Sequence, residues 1–341
     1  MSIKSSWENS LPTSFSMQRR LFLQAAAAAA AIPAASAFGQ GAQLEVAKFI
    51  TGFAAGGTSD TLCRRLAARM TGSYAKTVVV DNRTGAGGQI AIQVIKTLPA
   101  DGSAILQTPM SMLGIYPHIY KKLPYDPLKD LAPVSLGCVF DFGFAVGPAV
   151  PNSVNTVPEF LAWVKSSKNN SFGSPAAGSV PHFIGVLLGR SAGVDMTHVP
   201  YRGTQTAILD LIGGQIPAVS GPVGDFLPHL AAGKCRLLAT SGSTRNRFAP
   251  TVATFMEQGL KDMAFSEWFG LFLPAGASRE VVQRANAALR PALASPEIVE
   301  GLGVMGLQAA SSTPEELAGR LKADYERWGP IVKSIGFTAE S

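Results

Sequence analysis

The 341-residue chain has little of what catalytic and metal-binding proteins usually display. Its three cysteines, Cys63, Cys138 and Cys235, lie far apart, and no CxxC pair or Cys/His cluster has metal-ligand spacing. They read as small buried hydrophobes, with one disulfide and a leftover thiol as the alternative in an oxidising compartment. No GxSxG stands at a strand-to-helix elbow, and neither a zincin HExxH nor a zinc-deaminase signature is present. Ser174 and His182 could join a distant Asp in a triad on paper, but almost any sequence permits that. No enzyme activity, metal or other cofactor is therefore expected. Charge is sparse at 15% of residues, and Lys and Arg exceed Asp and Glu by a formal +6. The cations form no runs of the kind a nucleic-acid groove needs, so no nucleic-acid partner is expected. A mild positive surplus does favour anions.

What is present begins with the N-terminus. Arg19 and Arg20 precede an alanine-rich apolar run from Leu21 to about Ile32, and Ala35-Ser36-Ala37 supplies a small-x-small cleavage site. Charged region, apolar region and cleavage site in that order read as an export signal over residues 1–37, leaving a mature chain from Phe38 in the periplasm. The adjacent arginines and mild apolar run resemble a twin-arginine signal, with Gln18 and Gln24 as departures. The run is too short and too alanine-rich for a membrane anchor, and no later segment is a convincing span.

The rest alternates short apolar runs, glycine-containing turns and segments of helical spacing. Strands are expected at Ala47–Phe53, Val78–Val80 and Ser103–Gln107, with Leu62, Leu66 and Met70 on one helical face between the first two. Val134–Leu136 and Phe142–Val146 are further strand candidates after an irregular Leu123–Pro133. A second series has helices at 157–168, 180–191, 204–212 and 225–232 and strands at 171–173, 197–199, 216–219 and 236–240. A helical turn at Thr254–Gly259, a long apolar strand Phe265–Leu273 and helices at 278–293, 296–302 and 314–335 finish the chain. This order implies an α/β protein with parallel strands covered by helices. Periodicity leaves open whether it forms one large sheet or two αβ domains that the chain crosses between twice.

Three loops carry hydrogen-bond donors at helix starts. In the first, Phe53, Ala55, Gly56 and Gly57 let the backbone approach a ligand, Thr58 and Ser59 offer hydroxyls, and Asp60 falls in the first helical turn. The competing reading is a purely structural turn, with Asp60 favouring the helix dipole. This loop is not GxGxxG, and GxxxxGK(S/T) is absent, which excludes dinucleotide and ATP binding. In the second, Ser174, Ala177, Gly178 and Ser179 precede a helix that carries His182, itself as readily a packing residue. In the third, Tyr201 and Thr204 flank Arg202, which could pair with a ligand carboxylate or simply be solvated.

These segments resemble the Bug family, the substrate-binding proteins of tripartite tricarboxylate transporters. The resemblance runs in order through Phe53–Asp60, Asp81–Gly88, Asp101-Gly102, Leu123–Pro127, Lys129–Val134, Gly173–His182, His198–Gly203, Asp210–Gln215, Gly233–Ala239, Pro250–Gly259 and Trp268–Gly276. It implies a type II periplasmic-binding-protein fold: two αβ domains, a two-crossing hinge and an interdomain ligand cleft. The boundaries expected are 38–140 with 265–341 for domain 1 and 141–264 for domain 2. It further implies that the loops Phe53–Asp60 and Ser174–His182 face each other across the cleft, with Tyr201–Thr204 and the turn through Asp225 contributing. The ligand would be a small organic carboxylate. The partners would be two integral-membrane transporter subunits, with a sensor ectodomain as the alternative, and the receptor would be a monomer. Gly52 and Ala176 depart from the family pattern, so the ligand of a relative does not transfer.

Overall fold

The computed structural model describes residues 43–167 and 169–339, so the export-signal reading of residues 1–37 lies outside the described residues. Strands β1 (Leu44–Thr51), β2 (Ala75–Asn82) and β3 (Ala104–Pro109) form a parallel set with β1 in the middle. Helix α1 (Thr58–Met70) crosses from β1 to β2, and its Leu62, Leu66 and Met70 are buried as their spacing predicts. Helix α2 (Gln89–Lys96) crosses from β2 to β3.

The expectation of parallel strands fails next. Strand β4 (Leu131–Val146) is a single strand of 16 residues uniting the two runs separated in the sequence. It is antiparallel to β9 (Ser266–Pro274), which also lies antiparallel to β3. The reason is topological: a chain that leaves one lobe on β4 and returns on β9 runs its two crossings in opposite directions. From Leu131 to Asp141, β4 pairs with β9; from Phe142 to Val146 it pairs antiparallel with β7 (Ala218–Pro222) and β8 (Arg236–Thr240). The short β10 (Gln308–Ala309) pairs with Cys138 and Val139. Beyond β7, parallel pairing resumes with β5 (Ser171–Ser174) and β6 (Thr197–Pro200).

One strand thus belongs to two lobes, and Ser241 ties the crossings together. Phe142 N–H donates to Ser241 Oγ at 2.9 Å, Ser241 Oγ donates to the Phe265 carbonyl at 2.5 Å, and Ser241 N–H donates to the Phe142 carbonyl. The first lobe carries α1, α2, α3 (Tyr116–Ile119), α8 (Arg279–Ala294), α9 (Pro296–Gly303) and α10 (Pro314–Ile335). The second carries α4 (Val157–Ser166), α5 (Val180–Ala192), α6 (Thr204–Ile212) and α7 (Val223–Ala231). Capping boxes at Thr156/Glu159 and Thr313/Glu316 start α4 and α10.

The helical turn expected at Thr254–Gly259 is present, with Gln258 N–H donating to the Thr254 carbonyl. Two features were not anticipated. Ser111–Ile115, directly before α3, forms a π-helical turn, although no element was assigned there. Helix α10 packs on both lobes: Trp328 stacks at 6.1 Å on Phe183 of α5, and Arg190 of α5 donates to the Ser334 and Ile335 carbonyls. The three cysteines are buried and unpaired, which favours the packing reading over a disulfide. Among the described residues, no helix is long and apolar enough to cross a membrane.

Candidate ligand-binding cleft

Parallel pairing brings the C-terminal ends of β1 and β3 to one sheet edge and those of β5 and β7 to another, and residues at or after all four ends line a shared cleft. Its walls include Phe53, Ala55, Gly57, Thr58 and Ser59 from the first loop, Ser179 from the second, and Thr204 and Asp225 from α6 and α7. The remaining residues proposed from sequence lie outside this lining: Gly56, Asp60, Ser174, Ala177, Gly178, His182 and Tyr201.

Each polar member of that second group is engaged elsewhere. Asp60 accepts from Gly56 N–H at 3.0 Å, Arg64 Nε at 2.7 Å and Asn82 Nδ2 at 3.0 Å, while Asn82 Nδ2 also donates to the Phe53 carbonyl. Burial alone would raise its pKa, but these bonds hold its carboxyl below the ordinary value. Asp60 therefore pins the first loop from behind. Ser174 Oγ lies 2.7 Å from His198 Nε2 and donates to the Ala176 carbonyl. His182 Nδ1 accepts from Gly178 N–H, and its ring lies tilted 4.0 Å from that of His198 and packs edge-on to Phe337. Burial lowers the pKa of His182 to about 4 and, with the neighbouring ring, that of His198 to about 3, so both stay neutral. Tyr201 donates to Asp210 at 2.7 Å.

The two departures from the family pattern have local explanations. A Cβ on Gly52 would stand 2.7 Å from the Gly88 α-carbon, so the close pass of the first loop over the Gly85–Gly88 turn requires glycine there. Ala176 keeps an ordinary negative φ, and its carbonyl takes the hydroxyls of Ser174 and Ser179, so its methyl narrows the cleft wall without straining the loop.

Helix starts dominate the polar part of the cleft. Helices α1, α5, α6 and α7 all begin on its lining, and at none does the residue before the helix close the turn with its side chain. Their first N–H groups supply positive partial charge. Arg202, exposed at the rim, is the sole Lys or Arg in the lining. The apolar part of the wall includes Phe53, Pro109, Met112, Phe140, Phe142 and Phe269.

Two acids in the lining complete the electrostatics. Asp225, 3% exposed, is reached by Thr204, Gln205 and the backbone N–H of Thr58 from the opposite lobe, yet burial prevails and raises its pKa to about 6. Glu267, unmarked by any motif, is 2% exposed; burial raises its pKa to about 8 against two bonds from Ser111. Sequence reading missed Glu267 and Ser111, and the one available signal was an acid inside the largely apolar Phe265–Leu273 run.

Two glycine-rich patterns elsewhere carry no chemistry. Gly301–Gly306 has GxGxxG spacing but closes α9 instead of opening a helix after a strand, so it makes no phosphate cradle. Gly189–Gly193 has GxSxG spacing but ends α5, where Ser191 donates to the Leu188 carbonyl. Among the described residues, no cluster of His, Cys, Asp and Glu could hold a metal ion.

The comparisons with known proteins agree on one group. The family model described as tripartite tricarboxylate transporter family receptor matches residues 62–337. A protein encoded in the tcbD-tcbE intergenic region of Pseudomonas sp. (strain P51) is 32% identical over 286 residues, 83% of this chain and 84% of its own. A solved structure described as a periplasmic transporter superposes with a TM-score of 0.81 at 31% identity, covering 86% of this chain and 98% of its own. An R. palustris protein solved with adipate gives 0.81 at 27% identity, covering 87% and 98%. These likenesses identify the two-lobed architecture as the type II periplasmic-binding-protein fold.

Proposed function

The chain belongs to the tripartite tricarboxylate transporter receptor family, and from that premise we propose that it captures a small organic carboxylate in the periplasm and delivers it to the transporter's membrane subunits. As a family receptor it binds solute and is not an enzyme. The observation that carries the carboxylate reading is the convergence of four helix starts on one cleft, none closed by its own capping side chain. Oriented N–H groups and the hydroxyls of Thr58 and Ser59 suit an oxyanion. The adipate bound to the R. palustris relative agrees with that class of ligand.

The phenylalanines, Met112 and the prolines would take the carbon body of the ligand. The closing bodies are residues 44–140 with 265–339 and residues 141–264, supported by the change of β4 partners after Asp141. A ligand stabilises the closed form by touching both bodies at once, so it binds that form better than the open one. Asp60, Ser174 and His182 act behind the loops as positioning groups.

Native mass spectrometry of gently purified protein, followed by thermal-shift measurements with adipate, malate and adipamide, tests this reading. The two dianions are expected to raise the unfolding midpoint and the neutral diamide to leave it in place. Stabilisation by neutral or cationic compounds alone would overturn the carboxylate assignment.

A further inference from the structure

Glu267 stands at the start of β9 on the cleft wall, and its carboxyl meets one residue at both oxygens. Ser111 N–H donates to Oε1 at 3.1 Å, and Ser111 Oγ lies 2.6 Å from Oε2. The charged and titratable groups around it supply no cation. From its own strand comes the Trp268 backbone N–H; from α10 comes Asp324, whose carboxylate accepts the Trp268 indole N–H at 2.7 Å; from α3 comes Tyr116, and from β4 comes Cys138. Asp225 and Arg202 line the same cleft from the second lobe, Arg202 at its exposed rim.

A carboxyl buried in this way, facing further acids and no base, favours its neutral form. The neutral form rearranges the hydrogen bonds at Ser111. Oε1 still accepts from Ser111 N–H, but the acid O–H now donates to Ser111 Oγ. That oxygen also faces Val180 N–H, from the first turn of α5 in the other lobe, at 3.4 Å. A hydroxyl has two acceptor positions and one proton. With both positions filled, the Ser111 proton is left to point into the cleft that Ser111 lines. With Glu267 ionised, Ser111 instead gives that proton to the carboxylate, and a negative charge faces the ligand.

We infer that Glu267 is a proton-bearing specificity residue: its acid form turns the Ser111 hydroxyl into a donor for the ligand carboxylate, so the anion is held together with a proton kept on the protein. The inference rests on the carboxylate reading of the cleft, and the test separates the two. Titration calorimetry with adipate and with malate is run from pH 6 to pH 9 on wild type, Glu267→Gln and Glu267→Ala. The pKa near 8 predicts that wild-type affinity falls about tenfold from pH 7 to pH 9. Glu267→Gln, whose amide still donates to Ser111 Oγ, keeps the affinity and loses the pH dependence in that range. Glu267→Ala binds about tenfold more weakly at pH 7, because nothing then directs the Ser111 proton. Asp225, with its pKa near 6, contributes below this range in all three proteins.

Infrared difference spectra of the ligand-free wild type against Glu267→Gln at pH 6.5 are expected to show a protonated carboxyl band. Absence of that band overturns the proposal however well the acids bind. Binding with the same pH profile in wild type and Glu267→Gln overturns the donor role alone. Loss of all binding in a stably folded Glu267→Gln, whose amide keeps the donor to Ser111, also overturns it. If wild type binds neither acid at any pH although the band is present, the carboxylate reading fails and takes the donor role with it.

Discussion

Replacing Asp225 with asparagine measures what the buried acid costs the folded protein. Asp225 has Thr204, Gln205 and the Thr58 N–H around it and no cation, and burial carries its pKa from 3.8 to about 6. A folded pKa above the unfolded one means that the folded state binds the proton more tightly. The corresponding stability is fully present below pH 3.8 and is lost as pH rises through about 6. A shift of roughly two units corresponds to about 3 kcal/mol of stability lost across that window. Asp225→Asn keeps a carbonyl oxygen for the Thr58 N–H and has no proton to lose. Urea unfolding of both ligand-free proteins at pH 4 and pH 7.5, followed by tryptophan fluorescence and by circular dichroism, gives the difference. Wild type is expected to lose about 2 kcal/mol more than the variant over this range, since at pH 4 the unfolded carboxyl is already partly ionised, and two parallel pH profiles would refute the burial argument.

Three further substitutions probe the cleft and its frame. Arg202→Ala, at an exposed rim position, is expected to weaken adipate binding by about tenfold and reduce its salt dependence while leaving stability within about 0.5 kcal/mol, as read by calorimetry at two ionic strengths. Gly224→Ala puts a Cβ 1.4 Å from the Met305 carbonyl oxygen, a backbone atom that cannot swing aside, and is expected to cost about 3 kcal/mol or more in urea unfolding. Gly319→Ala, at an exposed position of α10 where a Cβ meets nothing within 4 Å, is expected to stabilise by about 0.5–1 kcal/mol in the same assay.

Much of the α/β order was legible because burial repeats with the period of the element. Leu62, Leu66 and Met70 announce α1, and the helix at 314–335 is found with the bounds that its spacing suggests. Strand direction was not legible. Nothing in the composition of Phe265–Leu273 says that it runs against its neighbours; that follows from the chain passing between lobes twice. The Ser111–Ile115 turn was missed because its Ser-Met-Leu-Gly-Ile run is buried throughout, and a fully buried segment shows no amphipathic period. Site residues divide along a similar line. A loop that opens a helix is visible in its Gly, Ser and Thr, which is why Thr58, Ser59 and Ser179 could be named. Whether a hydroxyl faces a cavity or a carbonyl depends on contacts distant in sequence, and Ser174 turned to His198 while Ser111, from an unassigned segment, reached Glu267.

The charge of the cleft sharpens what the net charge of the chain could only suggest. A formal surplus of +6 acts at a distance and is screened over about 10 Å in salt. Inside the lining the balance is different, since Asp225 and Glu267 face a single Arg202 at the rim. An anion entering that space meets helix starts and hydroxyls that favour it and two acids that oppose it once ionised. Both acids have raised pKa values for the same reason, burial without a cation, and they titrate at about 6 and about 8. Near pH 7 Asp225 is therefore mostly charged and Glu267 mostly neutral. The donors are matched in number, Thr204, Gln205 and the Thr58 N–H at Asp225 against the Ser111 N–H, the Ser111 hydroxyl and the Trp268 N–H at Glu267, so the proton sits on the acid that also faces the Asp324 carboxylate. Anion affinity in this cleft is then governed by local protonation more than by overall charge, and lowering the pH strengthens it both by removing repulsion and by freeing the Ser111 hydroxyl to donate.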